Sequence, residues 1–200
     1  MTRVTGSGLR LLVVLTCLAG INCQLKRPET IPGRMIEPQL LAPQAPAPAG
    51  PGTNGATTAS IRLLDTQARG HIGRRVLHQQ PDGELIEDPV WRWSSAPDRY
   101  LDTALRLELT SSRVLRLVDV ASAPTVAATL LVWHLETGAG TQLVGAVEFQ
   151  ITRTDHVVQT QVVQAREAVS ADLPGDLAAA AGRLLRRLAL EGLTRVASER

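Results

Sequence analysis

A proline-rich stretch near the N-terminus most constrains what this chain can fold into. Seven prolines fall between residues 24 and 57, and alanine and glycine fill most positions between the later ones. Such a composition cannot bury enough apolar surface to offset the entropy lost when its backbone is ordered. We therefore predict a disordered tether over residues 23–57, which would span about 105 Å as a polyproline helix or about 30 Å as a flexible coil. The folded domain is then confined to residues 58–200.

The tether contains one apolar cluster, formed by Met35, Ile36, Leu40 and Leu41. We interpret these side chains as linker residues that need no partner. The alternative is that the cluster docks on a partner protein.

Residues 1–22 have the pattern of a secretory signal. Arg3 and Arg10 precede an apolar run that begins at Leu11 and ends near Ile21. A transmembrane helix needs about 20 apolar residues, whereas this run is shorter and gives way to polar and basic residues. A basic start followed by a short apolar run is typical of a signal peptide. We therefore predict that the chain is exported and that this segment is removed.

Cys23 stands directly after the apolar run, and the predicted folded domain contains no cysteine, so a disulfide framework is excluded there. A cysteine in this place resembles the acylation site of bacterial lipoproteins, although Ile21 and Asn22 depart from the small residues usual before it. We predict lipidation of Cys23, with palmitate among the acyl chains. An ordinary secreted protein, or acylation at Cys17, stays open as an alternative. Gln24 indicates sorting to the outer membrane, with the domain facing the periplasm.

Hydrophobic periodicity predicts an α+β fold: a single small domain whose mostly antiparallel or mixed β-sheet is packed by two main α-helices. Leucines at 101, 105 and 109 follow a helical spacing after Pro97, and Ser95 is predicted to cap this helix. A second helix, rich in leucine and alanine, is predicted from Pro174. Residues 81–83, Pro-Asp-Gly, are predicted to form a turn. Strands are predicted at residues 60–64, 72–79, 114–118, 126–135, 143–152 and 157–165.

The last three predicted strands form an antiparallel meander. Residues 143–152 alternate apolar and polar side chains, as expected for a strand with one buried face. Residues 126–135 are apolar at odd and even positions alike, which predicts a central strand covered on both faces.

The charge balance excludes nucleic acid as a partner. The chain carries 21 basic and 19 acidic residues. Two of the arginines leave with the predicted signal, so the mature chain has no net charge. Binding to nucleic acid needs a positive surface that releases counterions from phosphates, and no long run of lysine or arginine supplies one.

The chain shows no catalytic or cofactor-binding pattern. Its four histidines, His71, His78, His134 and His156, have neither the spacing of zinc ligands nor a neighbouring cysteine. The predicted domain has no Gly-x-Ser-x-Gly nucleophile motif and no phosphate-binding loop. We therefore predict a protein that is not an enzyme and that binds no metal or cofactor. The least favoured alternative is a periplasmic hydrolase, with His78 or His134 beside a serine and a carboxylate.

Trp91, Trp93, Arg74 and Arg75 form the candidate partner interface. The tryptophans are two residues apart, so an extended chain places both on one face. Tryptophan is enriched where surfaces bind partners, whereas its ordinary role is core packing, and we expect one of the pair in the core and the other open. Arg74 and Arg75 would contact a partner or an acidic headgroup. Adjacent arginines on a strand point to opposite faces, however, and their alternative role is to solvate a sheet edge.

Three segments in succession carry a resemblance to a known family. They are Ile72-Gly73-Arg74-Arg75-Val76, then Trp91-Arg92-Trp93-Ser94-Ser95-Ala96-Pro97 before the leucine-spaced helix, and finally the closing hairpin with its leucine- and alanine-rich helix. In this order, over about residues 61–196, the chain resembles the ABC-type transport auxiliary lipoproteins, which include the paraquat-inducible protein C group. One departure is that family members usually carry an acidic residue where Ser95 or Ala96 stands.

The resemblance implies a membrane-anchored periplasmic subunit without catalytic residues. It would work with an ABC permease, its ATPase and an MCE-type substrate-binding protein, in lipid trafficking or envelope maintenance. The chain has no Walker motif, so ATP hydrolysis would belong to another subunit. A second copy of the chain is a further candidate partner. The alternative function is that of a generic envelope-assembly lipoprotein unconnected to a transporter.

Overall fold

The computed structural model describes residues 33–40, 58–170 and 174–198. Within these residues, nine strands pair into a mixed sheet, and two helices pack against it. The predicted α+β class, with a mixed sheet and two main helices, is confirmed. The predicted signal and Cys23 lie outside the described residues, as do residues 24–32 and 41–57 of the predicted tether.

The sheet is organised by the three long strands near the C-terminus. Strand β7 (Thr125–Thr137) pairs antiparallel with β8 (Thr141–Thr152), which pairs antiparallel with β9 (Val158–Ala168). The register runs without interruption along β8 and β9. We refer to β7, β8 and β9 as the meander, and its prediction from the sequence is confirmed.

Shorter strands add to the other edge of β7. Strands β2 (Ala59–Leu63), β3 (Gln67–Ala68) and β4 (Arg75–Gln79) follow one another along that edge, all parallel to β7. Strand β5 (Leu85–Trp93) pairs antiparallel with β4, and β6 (Leu115–Leu117) pairs parallel with β2. The β4–β5 pair therefore lies at the end of β7, and the β2–β6 pair lies at its start.

The predicted turn between β4 and β5 is confirmed. Gly83 has a φ of 90°, a conformation that side chains resist and glycine adopts freely. The Oδ1 atom of Asp82 accepts a hydrogen bond from the N–H of Glu84 at 3.0 Å. Each of these residues thus has the role that its type favours in a turn.

Two helices bury their apolar faces between themselves and the sheet. Helix α1 (Pro97–Ser111) has Leu101 and Leu105 fully buried. Helix α2 (Pro174–Ser198) buries an aliphatic stripe that includes every residue of the predicted one: Leu177, Ala181, Leu184, Leu185, Leu188 and Val196.

The start of α1 differs from its prediction. The N-cap residue is Ala96, and no side chain caps the helix. The predicted cap by Ser95 is wrong because Ser95 lies one residue too early, and its own N–H donates to the hydroxyl of Tyr100 at 2.7 Å.

Glycines let α2 approach the meander closely. A Cβ atom added at Gly192 would lie 2.2 Å from Cζ of Phe149, and one added at Gly145 would lie 2.9 Å from Cδ1 of Leu188. Real side chains do not tolerate such distances, so these two positions fix the spacing between the helix and the sheet.

The sequence predicted that β7 is covered on both faces, and this prediction is wrong. Val126, Ala128 and Leu130 are buried, whereas the residues between them are half-buried. A bulge between Leu130 and Val132 then shifts the register, and the next large buried side chain is Trp133. The buried set changes parity at the bulge, so one covered face produced an apolar pattern at both parities.

Residues 33–40 belong to the folded domain, which differs from the predicted disordered tether. Strand β1 (Arg34–Ile36) pairs parallel with the end of β5. Ile36 is only 2% exposed, and the N–H of Gln39 donates to the carbonyl of Ala178 in α2 at 3.0 Å. The composition of the whole stretch hid this segment, whose ordering is offset by pairing with a strand that already exists. We call residues 33–40 the strap.

Candidate functional site

Strands β1, β4 and β5 meet in a corner that contains all four predicted interface residues. Trp93 lies opposite Ile36 of the strap. Its side chain is 1% exposed, and its ring packs against that of Trp133 with 5.7 Å between centroids. A partner cannot reach it, so the prediction of Trp93 as an interface residue is wrong, and it is the core member of the pair.

Trp91 is the more accessible tryptophan. It is half-buried, two residues before Trp93 on the same side of β5. The guanidinium of Arg34 lies 5.5 Å from the centre of its ring, a distance at which a cation is attracted to the ring face. The strap therefore covers part of Trp91 with a charged group.

Arg75 begins β4, and Arg74, which directly precedes the strand, has different surroundings. Arg75 forms an exposed ion pair with Glu87 at 2.6 Å. Arg74 donates through Nη2 to the carbonyl of Ser94 at 2.6 Å and through Nε to that of Trp93 at 3.3 Å. Arg74 thus fastens β4 to the link between β5 and α1.

Arginines lie on both faces of β1, the edge strand of the sheet at this corner: Arg34 is on the face of Trp91, whereas Arg74 and Arg92 lie with an exposed methionine on the opposite face. Met35 is 56% exposed, and it lies opposite Arg92 in the pairing of β1 with β5. Nη2 of Arg74 lies 4.0 Å from the Met35 sulfur. Among the described residues, no carboxylate lies within ion-pairing distance of Arg34, Arg74 or Arg92. We call Arg34, Met35, Arg74 and Arg92 the arginine surface.

A cavity of about 300 Å³ lies on the inner side of the corner. The walls come from β1, β4, β5, β7 and α2, and they are mainly apolar: Ile36, Val76, Trp91, Leu135, Val169, Pro174 and Leu177. Its polar groups are His78, Asp88 and two threonines. The volume is at the lower end of the range for small-molecule pockets, so the cavity has room for a small ligand or part of one acyl chain.

Asp88 is held by three hydrogen bonds. Its Oδ2 atom lies 2.9 Å from Nε2 of His78, and its Oδ1 atom accepts from the N–H groups of Val90 and Trp91 at 2.8 and 2.7 Å. Burial raises the pKa of Asp88. The two backbone N–H donors and His78 together lower the pKa by more than burial raises it, so the pKa lies below its ordinary value. The carboxylate shapes the backbone of β5 just before Trp91.

His78 and His134, the histidines of the hydrolase alternative, each lie beside a carboxylate. His78 is engaged by Asp88, and Nε2 of His134 lies 3.5 Å from a carboxylate oxygen of Glu136. In the described part of the chain, neither histidine hydrogen-bonds to a serine. The geometry that a hydrolase would need is therefore not assembled by these residues.

The described residues contain neither a metal-binding cluster nor a membrane-spanning helix. No three His, Cys, Asp or Glu side chains there lie close enough to hold a metal ion. No helix in the same residues has the length and apolar character needed to cross a bilayer.

The strap is the part of this site that sequence reasoning missed. Its available signal was the apolar pair Met35 and Ile36, which we had interpreted as linker. Pairing between β1 and β5 joins residues far apart along the chain, so local pattern gave no indication of it.

Comparisons with known proteins show the fold. The chain resembles a Xanthomonas campestris protein of the family DUF330, with a TM-score of 0.65, 14% identity, and coverage of 83% of this chain and 97% of that one. An uncharacterized protein follows with a TM-score of 0.55 at 16% identity over 72% and 99% of the chains. A hypothetical protein from Chlamydia trachomatis has a TM-score of 0.52 at 12% identity over 71% and 97%.

No protein-family model matches the chain, and no curated protein matches it either. Identities below one fifth establish common architecture and nothing about activity. The conclusion that these comparisons support is that the chain adopts the same α+β fold as the DUF330 protein from Xanthomonas campestris.

Proposed function

We propose that the chain is a membrane-anchored lipoprotein of the bacterial envelope, facing the periplasm from the outer membrane. It serves as a non-catalytic auxiliary subunit of a transport system that contains an ABC permease, its ATPase and an MCE-type substrate-binding protein. The transported molecules are lipids. The observation that carries the proposal is the succession of segments that resemble the auxiliary lipoproteins, which lie on consecutive elements of one fold.

Those segments meet in space as well as in sequence. Arg74 of the first segment hydrogen-bonds to the carbonyls of Trp93 and Ser94 in the second. Helix α2 of the closing segment packs against α1 and supplies part of the cavity wall. The resemblance therefore concerns one connected structure, which supports treating it as a unit.

The cavity favours a docking role over that of a lipid carrier. A volume of about 300 Å³ is small even for a drug-sized ligand. A carrier has to cover most of the apolar surface of its cargo, whereas an auxiliary subunit needs only surfaces for its partners.

The strap changes how the proposed anchor works. Ten residue steps separate Cys23 from Gly33, so they span at most about 33–36 Å. Residues 41–57 begin and end on the same domain and do not lengthen the connection to the membrane. Acyl chains on Cys23, at about 0.8 kcal/mol per buried methylene, would thus hold the domain near the membrane surface and not at the end of a long tether.

Incorporation of labelled palmitate tests the anchor. Replacing Cys23 by serine should abolish incorporation into the chain and its acyl-dependent retention in the outer membrane. Cys17→Ser is the matched control, since it removes the other cysteine and should leave incorporation unchanged. Label that persists in Cys23→Ser would contradict the anchor.

Co-purification tests the transport role. The acylated chain, extracted in detergent, should bind the purified MCE-type protein of the same bacterium. Loss of the chain should also produce the same envelope defect as loss of the permease. The alternative of an envelope-assembly lipoprotein would be favoured by two results together: no binding, and a loss of the chain that still worsens the envelope defect in cells already lacking the permease.

A further inference from the structure

We propose that the arginine surface contacts the anionic phospholipid headgroups of the membrane that carries the anchor. The inference rests on the acylation of Cys23 proposed above. It assigns a lipid surface as the partner of Arg34, Met35, Arg74 and Arg92. Of these four, only Arg74 belongs to the partner interface predicted from the sequence.

The position of the strap brings the arginine surface close to the anchor. Gly33 lies against Arg92, since a Cβ at Gly33 would be 3.2 Å from Nε of Arg92. The chain from Cys23 therefore reaches the domain at the arginine surface itself. At most about 33–36 Å of chain is available between Cys23 and Gly33, so this corner can come into contact with a bilayer that holds the anchor.

The charge of the arginine surface suits phosphate. A guanidinium presents several N–H donors in a plane that matches phosphate oxygens. Nearby acids are engaged elsewhere: Glu87 pairs with Arg75 at 2.6 Å, and Glu37 accepts from the Tyr100 hydroxyl at 2.8 Å. Asp88 is held on the cavity side by His78 and two backbone N–H groups.

The apolar groups of the corner suit the headgroup region as well. Met35 is more than half exposed, on the same face as Arg74 and Arg92, so its apolar side chain is in contact with water. Trp91 is half-buried beneath Arg34, and tryptophan is enriched at membrane interfaces because its ring is apolar and its N–H is polar. Membrane-surface segments combine apolar and basic side chains in this way.

An environment-sensitive dye at position 35 tests the contact. The acylated chain carrying Met35→Cys is labelled and placed in vesicles of phosphatidylethanolamine and phosphatidylglycerol. Cys23 is the only other cysteine of the mature chain, and its sulfur carries the anchor, so the dye reports one site. We expect a blue shift and stronger emission relative to detergent-free vesicles of phosphatidylcholine alone.

Val158→Cys is the matched control position. Val158 is 58% exposed, close to the value for Met35, and it lies on β9 at the other end of β7. Its dye should report water in both kinds of vesicle.

Removal of charge tests the electrostatic part. Arg34→Gln with Arg92→Gln avoids Arg74, which has structural hydrogen bonds. Each arginine near an anionic membrane contributes about fivefold to binding, so the ratio of membrane-contacting to free domains should fall about 25-fold. Arg116→Gln with Arg153→Gln, exposed arginines away from the corner, should leave the dye signal unchanged.

The outcomes separate this inference from the proposed function. A chain that fails to sediment with vesicles contradicts the anchor, whereas a chain that sediments with equal emission at positions 35 and 158 overturns the membrane contact alone. A blue shift at position 35 that appears only when the purified MCE-type protein is added would also overturn it, because the corner would then be a protein interface. Circular dichroism identical to the unmodified chain confirms that each variant is folded.

Discussion

The meander and the corner are built from the same sheet, yet they are held together differently. The meander has long antiparallel strands whose register is interrupted only by the bulge in β7, and its inward side chains, such as Val147 and Phe149, are almost fully buried beneath α2. The corner has short strands, of which β1 has three residues, and it depends on side-chain bonds such as that of Arg74 to Ser94.

The two regions therefore differ in the kind of interaction that stabilises them. Burial of aliphatic surface stabilises the meander without any specific polar contact. In the corner, charged groups lie at the rim and a cavity lies inside, so packing is incomplete. Regions with few buried apolar contacts open locally at a lower free energy than the core does.

The largest expected effect on stability concerns the two tryptophans of β5, of which Trp93 belongs to the core and Trp91 to the corner. Trp93→Ala removes a side chain that is 1% exposed, and we expect it to lower the free energy of unfolding by about 3–5 kcal/mol. Trp91→Ala should cost far less, about 1 kcal/mol for the lost attraction to Arg34 and a part of the burial. Urea denaturation followed by circular dichroism measures both. Equal losses in the two variants would contradict the division between core and corner.

A smaller effect should follow from loosening the strap. A Cβ added at Gly182 of α2 would lie 2.0 Å from the carbonyl oxygen of Gln39, and neither backbone can yield, so Gly182→Ala should displace the strap. Docking should weaken by about 2 kcal/mol, the value of burying an aliphatic side chain such as Ile36.

Hydrogen exchange measures this loss directly. The N–H of Ser94, which donates to the carbonyl of Ile36 at 2.9 Å, should exchange about 30-fold faster, while amides of the meander keep their protection. Gly175→Ala is the control, because its Cβ meets no atom within 4 Å. Unchanged exchange at Ser94 would show that the strap does not depend on the gap at Gly182.

The smallest effect concerns the carboxylate that shapes the corner. The pKa of Asp88 is lowered in the folded protein, so its ionised form stabilises the fold above the ordinary aspartate pKa of about 3.9. That contribution is lost as the pH falls through the lowered pKa. Asp88→Asn should therefore cost about 1 kcal/mol at neutral pH, since hydrogen bonds to a charged acceptor are the stronger ones, and the difference from the unmodified chain should fade in acid.

Urea midpoints measured from neutral pH downward test this dependence. Asp119→Asn, which changes an exposed carboxylate, should leave the profile as it is. A deficit in Asp88→Asn that stays constant into strong acid would assign the role of Asp88 to shape and not to charge.

Much of the meander and both helices followed from local pattern. The alternation along residues 143–152 and the leucine spacing of α1 predicted β8 and α1 because each side chain there has one dominant requirement, to face the core or to avoid it. The turn at Gly83 followed from residue type. The bulge in β7 did not, because a change of parity within an apolar run looks the same as burial on both faces.

The corner was less accessible to prediction. The sequence placed Trp91 and Trp93 on one face and expected one to be buried, but it did not indicate which. It also grouped Arg74 with Arg75, although Arg74 fastens the backbone and Arg75 forms an exposed ion pair with Glu87.

By itself, the sequence determined the α+β class, the meander, the helices and the turn, because periodicity and residue type act over neighbouring positions. Only the tertiary structure decided that the strap pairs with β5, that Trp93 enters the core, and that Arg74 and Arg92 lie beside Met35. Those outcomes depend on contacts such as Arg34 with Trp91 and Gln39 with Ala178. The partners are distant along the chain, and their meeting is set by how the whole domain packs.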